Sequence, residues 1–142
     1  MALNVLIVDD SMVMRTMIKK TLRLSGLPLG EVYEAGNGEE GLAVLREEYV
    51  DLVLVDLNMP IMDGEQMIDH LRQDPTTVSL PVLVVSTEGS FTRISLIRKK
   101  GAEFVHKPFT PEAILDAVKE LTGGDYAHGS GDGVDQGSGP DF

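Results

Sequence analysis

Short apolar runs in this sequence each end in a side chain able to bind an ion or attack an electrophile. Asn4 to Val8 runs into Asp9 and Asp10, Leu52 to Val55 into Asp56, Pro81 to Val85 into Ser86, and Phe104 to His106 into Lys107. Any one of these could be no more than a cap on the next turn. Together they make three carboxylates, a hydroxyl and an amine. Carboxylates gathered in one cleft repel, so either a pKa rises or a cation sits among them. Oxygen donors and the absence of cysteine favour a hard ion. Mg²⁺ fits best, because it binds through a few carboxylates and keeps waters and phosphate oxygens in its shell. Lys107 adds a point charge for an anion, and Ser86 a hydroxyl donor. Cation, ammonium and hydroxyl are what a transferring phosphoryl group requires around its oxygens. In that chemistry Asp56 is the nucleophile and forms an acyl phosphate.

Competing chemistries fail on particular residues. A flavodoxin-type mononucleotide site wants backbone and hydroxyl donors after the first strand, where this chain has Asp9-Asp10. A Walker-type nucleotide loop is absent. A haloacid-dehalogenase-type phosphatase needs a second aspartate two residues after the nucleophile as general acid. Asn58 stands there, and an amide cannot protonate a leaving group. His70 and His106 invite a phosphohistidine role, but neither lies in a motif that would orient it for transfer.

The elements that must position these residues are legible from periodicity and punctuation. Strands are expected over Asn4–Val8, Glu31–Ala35, Leu52–Val55, Pro81–Val85 and Phe104–His106. The first helix is expected from about Met12 to Ser25, with Met14, Met17, Ile18 and Leu22 on one apolar face. A second follows the turn Gly36-Asn37-Gly38, with Asn37 as N-cap and Glu40 completing a capping box, and ends near Tyr49. A third follows Asp63-Gly64 and turns Met67, Ile68 and Leu71 inward, and Asp74-Pro75 stops it. A fourth spans about Ser90 to Lys100, with Ile94, Leu96 and Ile97 apolar and Gly101 at its end. The fifth starts at Thr110-Pro111 and carries Ile114, Leu115, Val118 and Leu121. Strands alternating with helices on short connections predict a parallel sheet covered on both faces by right-handed crossovers. In such a sheet the strand carboxyl ends share one edge, and ligands bind there.

At 142 residues the chain has room for one domain. That domain is expected over 1–122. Residues 123–142, rich in glycine and aspartate, read as a disordered tail. The formal charge of −11 opposes direct binding to DNA. No signal peptide and no apolar run of membrane-spanning length is visible, so a soluble cytoplasmic protein is expected.

Asp9-Asp10, Val55-Asp56-Leu57-Asn58-Met59-Pro60, Met62-Asp63-Gly64, Ser86-Thr87-Glu88 and Lys107-Pro108-Phe109 together resemble the receiver domain of two-component response regulators. The match covers about Leu3 to Leu121, and within the family it resembles the single-domain chemotaxis regulators most. The resemblance implies a flavodoxin-like α/β fold, strand order 2-1-3-4-5 with five helices on both faces. It implies a signalling switch rather than a turnover enzyme. Asp56 would accept a phosphoryl group from a histidine kinase. Mg²⁺ would be held by the Asp10 and Asp56 side chains, by Asp9 through water and by the Asn58 carbonyl. Ser86 and Phe104 would be the switch residues, Lys107 the partner of the phosphoryl group, and Lys107-Pro108 a cis peptide. The alternative role for Phe104 is packing under the fifth helix. Phosphorylation would then change affinity for a motor switch or other effector on the surface of helix four, strand five and helix five, and a dedicated phosphatase is a further expected partner. Thr87 stands where the family usually has alanine or glycine, which would narrow access to Asp56. Asn58 and Glu88 match regulators with short-lived phosphorylation. A phosphorelay carrier is the alternative function, with a Mg²⁺-dependent phosphatase or a non-phosphorylated interaction module behind it.

Overall fold

The computed structural model describes residues 2–124. Five strands and five helices alternate: β1 (Leu3–Val8), α1 (Met12–Leu24), β2 (Leu29–Ala35), α2 (Gly38–Glu47), β3 (Leu52–Val55), α3 (Gly64–Gln73), β4 (Val82–Ser86), α4 (Phe91–Lys99), β5 (Glu103–His106) and α5 (Pro111–Thr122). The strands form one parallel sheet in the order β2-β1-β3-β4-β5, as the resemblance implies. Expected boundaries hold to within two residues. β2 begins two residues earlier, at Leu29, where Leu3 pairs with it across a register shift. α2 ends at Glu47, short of Tyr49. Most of the expected tail, from residue 125 on, lies outside the described residues. Gly123, counted with that tail, instead closes α5 in a left-handed conformation at φ 65°.

The unbroken apolar runs are the central strands, because only a strand covered on both faces can hide every side chain. β3 and β4 are buried throughout. Alternate residues divide the core in two. Val5, Ile7, Leu52, Leu54, Leu83, Val85 and Val105 meet α1 and α5 on one face. Leu6, Val8, Val53, Val55, Val82, Val84 and Phe104 meet α3 and α4 on the other. One expectation about a helix face is corrected here. Met17 is 52% exposed and Leu96 is 44% exposed. Spacing alone placed Met17 inward, but Ile18 and Leu22 fill the α1 contact; on α4 the buried residue is Ile97.

Each helix begins with a side chain that accepts a hydrogen bond from the backbone N–H three residues on: Ser11, Asn37, Asp63, Ser90 and Thr110. The box expected at Asn37 is only half made. Asn37 accepts from Glu40 N, while the Glu40 carboxylate takes the Gly36 amide at 2.8 Å. The full reciprocal box is at Asp63 and Gln66. No helix of the described residues is long and apolar enough to cross a membrane.

Candidate functional site

Parallel pairing delivers the acidic residues to one place. Val8 and Val55 are partners in the β1–β3 register, so Asp9 and Asp56 leave the sheet side by side. Their amides complete the ladder, Asp56 N to Val8 O at 3.0 Å and Asp9 N to Ala35 O at 3.0 Å. Ser86 pairs with His106 on β5, and Lys107 N donates to Ser86 O at 2.9 Å. Carboxylate oxygens of Asp9, Asp10 and Asp56 all lie within 4.8 Å of one another. Lys107 Nζ stands 3.3 Å from Asp9 Oδ2 and 3.5 Å from Asp56 Oδ2. The four residues read from the strand ends of β1, β3 and β5 are therefore one cluster.

Their surroundings differ. Asp9 is buried, Asp56 half-buried and Asp10 exposed. Burial pushes the Asp9 carboxyl above the ordinary aspartate value, and the negative charge of Asp56 adds to the shift. The Ser11 amide, 2.9 Å from Asp9 Oδ1, and Lys107 oppose it. A buried carboxylate pushed toward its neutral form is what a site short of positive charge looks like. The donors are all oxygen, the cleft opens to solvent at Asp10, and a single ammonium faces three carboxylates. This set fits a hard divalent cation that retains water.

Ser86 is fully buried, and its Oγ accepts from Glu88 N at 3.3 Å. Asn58 is exposed in the loop after β3, beyond buried Leu57. That loop turns sharply: Met62 N donates to Pro60 O at 2.7 Å, across Ile61 at φ 68°. It is pinned where Gly64 packs against the Asp56 carbonyl so closely that a Cβ has no room. Thr87 is exposed and shares a groove with Lys107, Pro108 and Met14. The Lys107-Pro108 bond is cis, as expected. Phe104 does not pack under α5. It is 8% exposed and belongs to the α4 side of the core with Ile97, because it alternates with Val105, which takes the α5 side. His106 is exposed, its ring 6.2 Å from that of Phe104.

One positioning residue escaped the sequence reading. Arg15 Nη1 donates to the Asp9 carbonyl at 2.6 Å and Nε to Glu34 Oε1 at 2.9 Å. Its partners come from two other elements, so no local spacing announces it.

A parallel α/β sheet with acids at the ends of β1 and β3, and a lysine after β5 reaching both, defines an α/β domain with an acidic pocket at the carboxyl edge of its sheet. The response regulator receiver domain family matches residues 5–119. The chain belongs to that family, whose members are signalling switches that bind Mg²⁺ at an acidic pocket, take phosphate from histidine kinases and act on effector proteins. It is 33% identical over 134 residues to a chemotaxis protein CheY homolog of Campylobacter jejuni, covering 93% of this chain and 98% of that one. It is 38% identical over 120 residues to the chemotaxis protein CheY of Listeria monocytogenes, covering 83% and 97%. The structure of chemotaxis response regulator CheY4 of Vibrio cholerae superposes with a TM-score of 0.74 at 32% identity, covering 85% of this chain and 99% of that one.

Proposed function

We propose that this chain is a phosphorylation-controlled switch in chemotaxis or motility signalling, acting in the cytoplasm, with Asp56 as phosphoacceptor. The observation that carries it is the reach of Lys107 to both Asp9 and Asp56, with Asp10 completing the carboxylate cluster. The chemotaxis assignment is supported by relatives of that name that match over most of both chains.

Asp56 Oδ attacks the phosphorus of a kinase phosphohistidine. The P–N bond breaks, the imidazole takes a proton, and an acyl phosphate forms. When bound, Mg²⁺ supplies the charge that draws the donor's oxygens onto a carboxylate cluster that would otherwise repel them. Asp9, Asp10 and Asp56 are the carboxylates that would hold it, with Asn58 the further residue the family resemblance would add. Lys107 then leaves its ion pairs with carboxylates for the phosphoryl oxygens, and the Ser86 hydroxyl turns to donate to them. Phe104 already lies inside the core, so the change that follows is a repacking of the α4–β5 boundary rather than an inward swing. The α4-β5-α5 surface then binds a motor switch or other effector, and a dedicated phosphatase resets it.

Incubation with Mg²⁺ and acetyl phosphate should add one phosphoryl group to the wild type and none to Asp56→Asn, read by intact mass. Equal gain in the variant would overturn the assignment of Asp56.

A further inference from the structure

Ion pairs that join α3 to α4 converge on the loop carrying Ser86, and nothing in the phosphoacceptor chemistry above uses them. Arg93, in the first turn of α4, has its guanidinium between two carboxylates. Nε is 3.5 Å from Glu65 Oε1, and Nη1 is 3.4 Å from Glu88 Oε1. Glu65 follows Gly64, the residue pressed against the Asp56 carbonyl. Its second oxygen is 3.3 Å from Lys100 Nζ. Glu88 is engaged at both oxygens, since Oε2 accepts from Ser90 N at 3.0 Å. The Glu88 amide in turn donates to Ser86 Oγ. Residues 86–90 are thus tied to the switch hydroxyl at one end and, through Arg93, to α3 at the other.

Turning the Ser86 hydroxyl toward Asp56 gives up or drags its bond to the Glu88 amide. The arrangement that keeps this bond is the one Arg93 holds. A guanidinium suits the task because its separate N–H groups reach different carboxylates, Nε toward Glu65 and Nη1 toward Glu88. We propose that Arg93 is a positioning residue that holds the 86–90 loop in its resting arrangement by bridging Glu65 and Glu88, and so sets how readily the phosphoryl site is completed. The proposal rests on the phosphoacceptor function above. The side chains of Arg93, Glu65 and Glu88 are 33%, 28% and 20% exposed, so the bridge is modest and open to screening by salt.

Calorimetric titration of the full chain with beryllofluoride, a phosphoryl mimic, in excess Mg²⁺ tests this at low and high salt. Arg93→Gln should bind roughly threefold tighter than wild type at low salt, the scale of a screened ion pair. The advantage should vanish near 0.5 M salt, roughly where the Debye length falls to a few ångströms and the wild-type bridge is lost too. Glu65→Gln should reproduce the gain, and the double variant should add nothing to it, as for residues acting through one bridge. Equal or weaker affinity of a folded Arg93→Gln, or full additivity with Glu65→Gln, overturns the proposal. Should Arg93→Gln melt below the assay temperature, Glu65→Gln decides by the same criterion. A wild type that takes no beryllofluoride overturns the phosphoacceptor function as well, whereas normal wild-type binding with no variant effect overturns the role of Arg93 alone.

Discussion

Lys107 shares one ammonium between two carboxylates, at 3.3 Å from Asp9 and 3.5 Å from Asp56. A cation arriving in the cluster competes with that ammonium, while an arriving phosphoryl group needs it. The two binding events therefore respond to Lys107 with opposite signs. Lys107→Met should tighten Mg²⁺ roughly tenfold, since removing a unit charge a few ångströms away is worth at least about 1.4 kcal/mol at the effective dielectric of a protein surface. It should slow phosphoryl uptake from acetyl phosphate at least as much. Calorimetry and intact mass separate the two, and weaker Mg²⁺ binding in the variant would show that Lys107 orders the carboxylates rather than opposing a cation. Asp9, Asp56, Ser86 and Lys107 were legible in the sequence because each follows a buried strand and a parallel sheet brings those ends together. Arg15 was not, since its partners come from β2 and from the loop after β1. The face chosen by Phe104 was not either. A four-residue strand offers two faces, and only the packing of Val105 against α5 decides between them.

At the level of elements, β2 is the edge strand with the most exposed side chains, and Glu34 is what ties α1 to it. Its carboxylate meets Lys19 at 2.6 Å and Arg15 at 2.9 Å. The hydrogen bond from Lys19, aided by Arg15, holds the Glu34 carboxyl below its ordinary value of 4.5. A lowered folded-state pKa stabilises fully above pH 4.5, and that contribution is lost as pH falls through the folded-state value. Glu34→Gln should therefore melt below wild type at pH 7, and the gap should close as the pH is taken below 4.5. Melting curves across that range decide it, and a constant gap would mean the loss is one of packing. Helix positions were readable from periodicity and from the caps Asn37 and Thr110, which act locally; Ser11, Asp63 and Ser90 cap their helices in the same way. Which apolar residues of a helix touch the sheet was less readable. Met17 obeys the spacing yet stays outside, since contact depends on how the helix is rotated against its neighbours.

At the scale of the molecule, the ten elements of the described residues lie between Leu3 and Thr122, and the sheet is covered on both faces within that span. We propose that residues 1–122, closed by the Gly123 cap, are the folding unit and that the Gly-rich stretch beyond Gly124 contributes nothing to its stability. A chain ended at Gly124 should melt within about 2 °C of the full chain, a shift of less than roughly half a kcal/mol for a domain of this size. A larger fall would assign the C-terminal residues a contact with the domain. Fold class was the most legible property of all. It depends on the alternation of element types, and every element here states its type locally.

Ile61 is a β-branched residue at φ 68°, 74% exposed, at the centre of a three-residue turn. L-residues of this shape avoid that region, and γ-turns of this sense are strained. Glycine would relieve the backbone, and Ile61→Gly should raise stability by about 1 kcal/mol, read from denaturant midpoints. A selected sequence has thus left an inexpensive stabilising substitution untaken, three residues after Asn58. If selection maintains the tension, a library screened for thermal endurance will recover changes at Ile61, while one screened for signalling will discard them.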